Sequence, residues 1–526
     1  MLPAKASCRI RLTCGIVGRA RRCATIQDVG SFHVQNFGCR ATQADGASLE
    51  RQFERLGLSQ SPPDRADIVV LNTCTVTAAA DQDARATIRR IRRSNPGAKV
   101  VVTGCYAQRA PDEIAALPGV SVVVGNSHKH RLAEIAFTQG VMAQPRIGLQ
   151  TPFVPLASLL GSDTNEPASS QSGRPIFVSD IFAHTELLAA PVFDQSAAGA
   201  QRTRPNLKVQ DGCDNRCSFC VIPSVRGHSR SLSVDRVLSE VHSLVSAGYR
   251  ELVLSGIHLG RWGRDLPGLQ NTPNTLPRLI RTILAETSLE RLRISSVEPM
   301  DWTDELISLV ASSPRIAKHA HVPLQSGSDR VLRRMYRKYR PWHYRDKIEK
   351  IRAAMPGAAI GADVMVGFPG ETAAEFEETR HLIEDLPLTY LHVFTYSARP
   401  GTPAAAMPNQ VPVDVARGRN RILRELGVAK HRAFLRSFVG VDLDAITLGY
   451  NIDQDGRFTE SLTDNYLKLH IKGAHAPNHW RRVRVTGVHQ ESLMGFALDS
   501  SKGAALPETQ PARPLFASSS DSPSML

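Results

Sequence analysis

Three closely spaced cysteines, Cys213, Cys217 and Cys220, constrain this chain more than any other feature. Their Cys-x3-Cys-x2-Cys spacing lets three thiolates bind one compact metal cluster, and no fourth cysteine lies nearby. The alternatives are a zinc site that lacks its last ligand and three buried thiols. Zinc sites usually add a second cysteine pair or histidines, and no second pair follows here. The spacing therefore favours a [4Fe-4S] cluster with one iron open to another ligand.

Length, composition and charge limit the class of protein. With 526 residues, of which 42% are hydrophobic and 22% charged, the chain is long enough for two to four ordinary domains. No apolar run is long enough to span a membrane. The nine irregularly spaced cysteines argue against a secreted disulfide framework, so we expect a cytoplasmic protein. The net charge of +14 favours a polyanionic partner, most often a nucleic acid.

The first predicted domain, residues 31–140, contains a second set of cysteines. Short strands rich in Val and Ile alternate with helices, which predicts an open parallel α/β sheet. Cys39, Cys74 and Cys105 each follow one of three successive strands. A lone buried cysteine is usually a small apolar side chain. Ligand sites of such sheets form beyond the carboxyl ends of the strands, so these three thiols should converge on a second cluster.

The remaining segments predict two further domains. Residues 141–203 are expected to form a linker or insertion in which PIFVSDIF adds a strand. Residues 204–437 contain six β/α units, typical of a partial barrel whose site lies at the carboxyl ends of its strands. Residues 438–498 alternate as strands of a small antiparallel β-barrel. We expect residues 1–30 and 499–526 to be a disordered basic extension and a disordered tail.

Two kinds of surface are candidates for nucleic-acid contact. In the terminal barrel, Tyr466 and Trp480 are interleaved with basic residues, a pattern that suits stacking on bases and contact with phosphates. The alternative is a plain basic β-domain. Two arginine-rich helical runs complete the prediction, although such runs are more often solvated faces. The basic residues concerned are Lys468, Lys472, Arg481, Arg482 and Arg484 in the barrel, Arg89, Arg90, Arg92 and Arg93 in the first domain, and Arg333, Arg334, Arg337 and Lys338 in the central domain.

The cysteine loop, with an aromatic residue before its last cysteine, resembles the radical S-adenosylmethionine enzymes. From Phe32 to about Leu498 the chain is similar to the methylthiotransferase family. The segments that carry the resemblance, in the family's order, are NFGCR, LNTCTVTAAADQDARATIRRIRR, VVTGCYAQ, DGCDNRCSFCVIPSVRGHSRS, SSVEP, HVPLQSGSDRVLRRM, VGFPGET and YSARPGTPAA. The terminal barrel resembles the RNA-binding TRAM domain of that family, although its first strand, DAITLGY, lacks the usual glutamate.

The resemblance implies a fold, two metal clusters and a reaction. The fold is an N-terminal open parallel α/β sheet domain, a central partial (β/α)6 radical barrel and a C-terminal antiparallel β-barrel. Cys213, Cys217 and Cys220 would bind the cluster that cleaves S-adenosylmethionine to methionine and a 5′-deoxyadenosyl radical. The other three cysteines would bind an auxiliary [4Fe-4S] cluster. The radical removes hydrogen from carbon 2 of adenine, and sulfur and a methyl group follow.

The resemblance also implies substrate and partners. The segments LVLSGIHLGRWGRDL and IPSVRGHSRS are similar to the branch that modifies threonylcarbamoyladenosine in the tRNA anticodon stem-loop. The isopentenyladenosine branch typically has Gly-Gln-Asn where this chain has Gly256-Ile257-His258. The alternatives are the same chemistry on isopentenyladenosine tRNA or a ribosomal protein, and a non-catalytic metal-containing RNA-binding protein. A flavodoxin or ferredoxin would supply electrons, and we expect a monomer.

Several residues match the family's cofactor site. Ser255 and Gly256 should lie near the amino group of S-adenosylmethionine, and Ser296 and Glu298 near its ribose. Gln325 could reach the carboxylate. For Glu298 and Gln325 the alternatives are a helix-start carboxylate and a turn residue. The complete set of predicted cofactor contacts is Phe219, Ser255, Gly256, Ser296, Glu298, Gln325, Gly367 and Phe368, with Gly370 beside the adenine.

Overall fold

The computed structural model describes residues 30–139, 168–169, 173–184, 187, 204–268, 273–452 and 457–498. The predicted tail, nearly all of the predicted extension and most of the 141–203 segment therefore lie outside the described residues. None of the helices in the described ranges is both long and apolar enough to cross a membrane.

The first domain is a mainly parallel sheet covered by helices. Its strands are β1 Ser31–Asn36, β2 Ser59–Gln60, β3 Ile68–Thr73, β4 Lys99–Gly104, β5 Val120–Val124, β6 Ala168–Ser169 and β7 Pro175–Phe177. Its helices are α1 Arg40–Arg55, α2 Ala78–Ser94, α3 Cys105–Arg109, α4 Pro111–Ala115 and α5 Leu132–Thr138. The strand order is β2-β1-β3-β4-β5-β7-β6. The predicted strand in PIFVSDIF is therefore present as β7, parallel to β5.

The central domain is a partial barrel of six parallel strands. The six are β8 Asn206–Asp211, β10 Glu251–Gly256, β11 Arg291–Ile294, β12 His319–His321, β13 Ala359–Val366 and β14 Tyr390–Thr395, and the short β9 Arg230–Ser231 pairs antiparallel with β8. The helices are α6 Ile222–Arg226, α7 Val234–Ser246, α8 Leu276–Glu286, α9 Asp304–Ser312, α10 Asp329–Arg334, α11 Pro341–Ala354, α12 Ala373–Asp385 and α13 Val413–Arg436. A parallel bridge between Leu292 and Ile316 joins the two halves of the barrel wall.

Helix starts in the central domain follow the sequence. Ser233, predicted to cap a helix, accepts a hydrogen bond from the backbone N–H of Arg236 at the start of α7. Thr372 and Glu375 form a reciprocal capping box on α12. These caps satisfy N–H groups that have no partner within the helix, so they fix where each helix leaves its strand.

The terminal domain is a closed barrel, β15 Asp442–Ile452, β16 Phe458–Thr463, β17 Lys468–Lys472, β18 Trp480–His489 and β19 Ser492–Ala497. The turn between β16 and β17 contacts the central barrel. Arg293, buried and paired with Glu251, donates to the carbonyl oxygens of Thr463 and Asp464. The three predicted architectures are all present, so the predicted fold class is confirmed.

Aromatic residues of the terminal barrel face the central domain. Tyr466 stacks obliquely on His319, with ring centroids 4.8 Å apart. Trp480 donates from Nε1 to Glu290 Oε2 at 2.6 Å and lies under the guanidinium of Arg291. Both half-buried rings therefore help to dock the two domains, and their stacking on RNA bases stays a prediction.

Candidate active site

The first set of cysteines lies at one edge of the first sheet. Cys39 follows β1, while Cys74 and Cys105 come directly after β3 and β4. These three strands are neighbours and parallel, so their carboxyl ends meet. The thiols of Cys39 and Cys105 are close enough to Cys74 to act on it electrostatically. The structure thus brings the trio together, as predicted.

A glycine allows the close approach within this trio. Gly38 has φ +94°, a conformation that favours glycine, and a Cβ there would lie 2.8 Å from the Sγ of Cys74. Burial raises the pKa of the Cys74 thiol to about 11, and the neighbouring Cys105 adds to the shift. Without metal, Cys74 is therefore protonated at neutral pH, so metal binding must displace its proton.

The second set of cysteines lies on the loop after β8. The backbone N–H of Cys213 donates to the carbonyl of Gly227, and that of Cys220 donates to Cys217. Ser218 fixes the middle of the loop, since its Oγ donates to the carbonyl of Arg334 at 2.8 Å. Burial raises the pKa of the Cys213 thiol to about 11 and that of the Cys220 thiol to about 12.

Arg337 lies inside this second site. Its Nη1 is 3.2 Å from the Sγ of Cys217, and its Nη2 forms an ion pair with Glu298. Only 5% of its side chain is exposed, so the prediction that Arg337 belongs to an RNA-facing basic run is wrong. Burial opposes its charge, but Tyr339, Glu298 and Cys217 raise its pKa well above the usual value.

A histidine borders the same loop on the opposite side. His258 Nδ1 lies 3.7 Å from the Sγ of Cys213, and its Nε2 lies 3.0 Å from the Oδ2 of Asp301. The backbone N–H of His258 donates to Gln210 Oε1 at 2.7 Å. In the sequence, His258 differed only from the Gly-Gln-Asn segment that is typical of the isopentenyladenosine branch. Its contact with the cysteine loop was not predicted.

The two cysteine sets occupy neighbouring elements. Cys105 packs against Val221 and Val225, which directly follow the cysteine loop. Asn126 connects the same elements, since its Nδ2 lies 3.5 Å from the Sγ of Cys105 and donates to the carbonyl of Val225 at 2.7 Å. The edge of the first sheet and the mouth of the barrel therefore form one shared site.

A buried charge network lies behind this shared site. Asp45 on α1 contacts Lys129, Lys208 and Arg226, and Asp211 contacts the last two as well. The five side chains are nearly inaccessible, and their formal charges sum to one excess positive charge, although burial lowers the pKa of Lys129. Burial opposes the charge of Arg226, but Asp211, Cys105 and Asp45 raise its pKa well above the usual value. Cys105 therefore lies within range of the network's excess charge.

Some predicted cofactor contacts have unused polar atoms. The Oγ of Ser255 and the Oε1 of Gln325 are buried without a protein partner. Gln325 also has φ +63°, which is strained for a residue other than glycine and is typical of functional sites. Buried polar atoms usually have partners, so both atoms are suited to a bound polar ligand. This arrangement fits the predicted S-adenosylmethionine contacts.

The other predicted contacts already have protein neighbours. The Oγ of Ser296 lies 2.6 Å from His321 Nδ1, and Glu298 is paired with Arg337. Phe219 packs against the central core, and the Phe368 side chain is fully buried in it. A Cβ on Gly256 would crowd Gln210, one on Gly367 would crowd Ala416 of α13, and Gly370 has φ +75°. A ligand could therefore contact Gly367 and Phe368 only at their backbone atoms.

The inner wall of the barrel is polar. Its strands alternate, with apolar residues packed against the helices and polar residues between them. The polar positions are Asn206, Lys208, Gln210, Glu251, Ser255, Arg293, His319, His321, Asp363 and His392. The alternation in NLKVQDG, RLRISSV and HAHVPL was visible in the sequence and was the signal that could have revealed this interior.

Comparisons with known proteins identify the family. Residues 31–125 match the family described as "Uncharacterized protein family UPF0004", and residues 207–383 match the radical SAM superfamily. The chain is 36% identical over 445 residues to the threonylcarbamoyladenosine tRNA methylthiotransferase MtaB of Bacillus subtilis, covering 84% of this chain and 90% of that protein. The MtaB protein of Aquifex aeolicus is 34% identical, covering 84% and 96%.

The chain is also similar to a protein of a different branch and to a solved structure. A tRNA-2-methylthio-N(6)-dimethylallyladenosine synthase of Novosphingobium aromaticivorans is 36% identical, covering 78% of this chain and 85% of that protein. The fold resembles that of the radical S-adenosylmethionine methyltransferase TsrM of Kitasatospora setae at a TM-score of 0.50 and 16% identity, covering 72% and 77%.

These matches define a radical S-adenosylmethionine protein with an additional N-terminal sheet domain. The chain belongs to the methylthiotransferase family, in the branch of the MtaB proteins, which confirms the predicted family. The cofactors of this class are two [4Fe-4S] clusters and S-adenosylmethionine, as predicted.

Proposed function

We propose that this protein adds a methylthio group to carbon 2 of threonylcarbamoyladenosine next to the anticodon of tRNA. The observation that carries the proposal is the pair of three-cysteine sets on touching elements, in a chain whose relatives are named for this reaction. A non-catalytic RNA-binding protein would not need two separate sets of three thiols that share one site.

The six cysteines provide two donor sets. Cys213, Cys217 and Cys220 would hold the cluster that binds S-adenosylmethionine, because the unused Ser255 and Gln325 atoms belong to the same barrel. Cys39, Cys74 and Cys105 would hold the auxiliary cluster. When bound, these cofactors supply one-electron chemistry at an unactivated carbon and the sulfur and methyl groups of the product.

The charges near Cys39, Cys74 and Cys105 are suited to an anionic group bound by these cysteines. Three thiolates outweigh the charge of a four-iron core by about one unit. The neighbouring network of Asp45, Asp211, Lys129, Lys208 and Arg226 carries one excess positive charge. A buried uncompensated charge is costly, so the network and a bound cluster would stabilise each other.

The remaining proposed roles concern positioning. Arg337 donates to Cys217 and is paired with Glu298, which would bind the ribose of S-adenosylmethionine. Ser296 and His321 fix each other beside it. The backbone around Gly367 and Phe368 would accept the adenine. The target base would leave its stack and enter the polar barrel between the two cysteine sets.

The partners follow from the same chemistry. The anticodon stem-loop of tRNA is the proposed macromolecular substrate, and a flavodoxin or ferredoxin the proposed electron donor. We further propose a monomer in the cytoplasm, where tRNA and reducing conditions coexist.

Nucleoside analysis of tRNA tests the proposal. A deletion strain should lose 2-methylthio-threonylcarbamoyladenosine and keep 2-methylthio-isopentenyladenosine, and the intact gene should restore the former. Persistence of the first nucleoside would contradict the proposal. Loss of the second instead would favour the dimethylallyl branch, to which the Novosphingobium relative belongs.

Two cysteine variants separate the proposed donor sets. Cys220→Ala should abolish reductive cleavage of S-adenosylmethionine. Cys74→Ala should retain cleavage, form no methylthio product, and lose about half of the iron. If the Cys74→Ala protein still made product, the auxiliary-cluster assignment would be wrong.

A further inference from the structure

The guanidinium of Arg40 lies near His319 and Tyr390, the first residues of barrel strands β12 and β14. Arg40 is exposed, and its Nη2 donates to the hydroxyl of Tyr466 at 2.9 Å. Tyr466 stacks on His319 of the inner wall, and Arg40 is close enough to act electrostatically on His319 and Tyr390. Within the described ranges, no carboxylate lies at ion-pair distance from Arg40.

Other cations around the interior differ from Arg40 in this respect. Lys208 contacts two aspartates, and Arg293 is paired with Glu251. Arg204 lies 4.0 Å from the same glutamate. An arginine that is held in place without an acidic partner is suited to an anionic ligand, because its planar group can bind a carboxylate through two parallel hydrogen bonds.

The position of Arg40 in the chain adds a second constraint. It directly follows Cys39, so its backbone is adjacent to the first cysteine set, while its side chain contacts Tyr466, whose ring stacks on His319 of the inner wall. Asn206 of the barrel donates to the Arg40 carbonyl at 3.0 Å, which fixes the backbone at the boundary of the two domains. The guanidinium thus lies next to the starts of the barrel strands, on the Cys39 side of the space between the two cysteine sets, where a long substituent on a bound base would reach it.

We propose that Arg40 binds the carboxylate of the threonylcarbamoyl group, an inference that rests on the proposed function. The N6 substituent of the substrate ends in the carboxylate of threonine, whereas an isopentenyl group has no charge. The Tyr466 hydroxyl holds the guanidinium in advance, so less side-chain freedom is lost on binding. A site built to bind a polar group rejects an analogue that lacks it, so Arg40 selects for the threonylcarbamoyl substituent.

The test compares the binding of two anticodon stem-loops, one with threonylcarbamoyladenosine and one with unmodified adenosine. Full-length protein with both clusters is used without S-adenosylmethionine, and binding is followed by fluorescence anisotropy. The intact protein should prefer the modified stem-loop by about 10- to 100-fold, the effect of a hydrogen-bonded charge pair. Arg40→Gln should remove this preference and leave binding of the unmodified stem-loop unchanged.

Matched variants and one altered ligand sharpen the comparison. Arg55→Gln changes an exposed arginine at the other end of α1, about 22 Å away, and should keep the full preference. Tyr466→Phe removes only the hydroxyl and should reduce the preference by about 3- to 10-fold. A stem-loop carrying the methyl ester of the threonyl group should bind the intact protein as weakly as the acid binds Arg40→Gln.

Several results would overturn the inference. One is a preference for the modified stem-loop that Arg40→Gln leaves unchanged. Another is an equal loss of affinity for both stem-loops, which would indicate a phosphate contact. A third is the absence of any preference in the intact protein. If the Arg40→Gln protein loses iron, the Arg40→Lys and Tyr466→Phe proteins are measured instead. If both keep the full preference for the modified stem-loop, the inference is contradicted. A protein that binds as expected but forms no methylthio product would instead contradict the proposed function alone.

Discussion

Arg337 connects the cysteine loop to the proposed cofactor site through two contacts. Its guanidinium donates to the Sγ of Cys217 and is paired with Glu298, deep inside the barrel. A buried cation beside a thiolate stabilises negative charge there, and a reduced cluster carries more negative charge than an oxidised one. Arg337 should therefore make the cluster bound by this loop easier to reduce.

Replacing Arg337 with methionine tests this role, because methionine keeps much of the apolar length and removes the charge. The reduction potential of the cluster at Cys213, Cys217 and Cys220 should become more negative. An EPR-monitored redox titration of the Arg337→Met protein, made in the Cys74→Ala background, measures this cluster alone. Arg333→Met, on the exposed face of α10, is the matched control. An unchanged potential with full iron content would contradict the role of Arg337.

Individual residues differ in how well the sequence predicts them. The convergence of the six cysteines followed from their spacing and from the rule that ligand sites form at the ends of parallel strands. Arg337 was misplaced because α10 ends at Arg334 and Tyr336 takes φ +58°, so the helical periodicity of the arginine run does not extend to Arg337. No glycine marks this turn, so the sequence carried no signal for it.

Helix α1 is joined to β8 and α6 by the buried charges around Asp45. This carboxylate contacts Lys129, Lys208 and Arg226, and it is 1% exposed. Removing one member of a buried ion network leaves the others uncompensated, at a cost of about 3 kcal/mol or more. The junction between the first two domains should therefore depend on this single aspartate.

The Asp45→Asn variant should lower the unfolding free energy by about 3 kcal/mol at pH 6, measured by urea denaturation. Asp83→Asn, at an exposed position of α2, should change it by less than about 0.5 kcal/mol. A loss in Asp45→Asn as small as that of the control would mean that the network adds nothing to the junction.

The difference in unfolding free energy between the intact protein and Asp45→Asn should depend on pH. Burial alone would raise the pKa of Asp45, but Lys129, Lys208 and Arg226 hold it at about 2. Because the folded pKa lies below the unfolded one, Asp45 contributes its stability above about pH 4 and loses it as the pH falls toward about 2. The stability difference between intact protein and Asp45→Asn should therefore be constant near pH 6 and shrink below about pH 4.

Secondary-structure elements were predicted better than their packing. Strands β1, β3, β4 and β5 and the six barrel strands all occur where Val- and Ile-rich or alternating runs predicted them. The charge network was not predicted, because Asp45, Lys129 and Lys208 are far apart in the chain and only the folded domains bring them together. Periodicity indicates which face of an element is buried and says nothing about a partner on another domain.

In the folded molecule, the exposed basic residues differ in their distance from the proposed site. The arginines of α2 lie toward the end of that helix, while its start follows the strand edge that carries Cys74. Arg92 is therefore about 20 Å from the start of α2. In contrast, Arg216 on the cysteine loop and Lys338 after α10 are exposed close to the site, and neither has an acidic partner in the described structure.

Charge reversal at the site should weaken tRNA binding more than reversal at the far end of α2. Neutralised phosphates release counterions, so the affinity falls with salt by about one logarithmic unit per unit of log salt concentration for each contact. Arg216→Glu with Lys338→Glu should weaken binding and reduce this salt slope by about two, since both contacts are lost. The matched control is Arg92→Glu with Arg93→Glu, which makes the same change in net charge. Filter binding of whole tRNA at several salt concentrations measures both slopes, and iron content confirms that the cysteine loop is intact. Equal slopes for the two double variants would mean that tRNA responds to the overall charge of +14 and not to the charges beside the site.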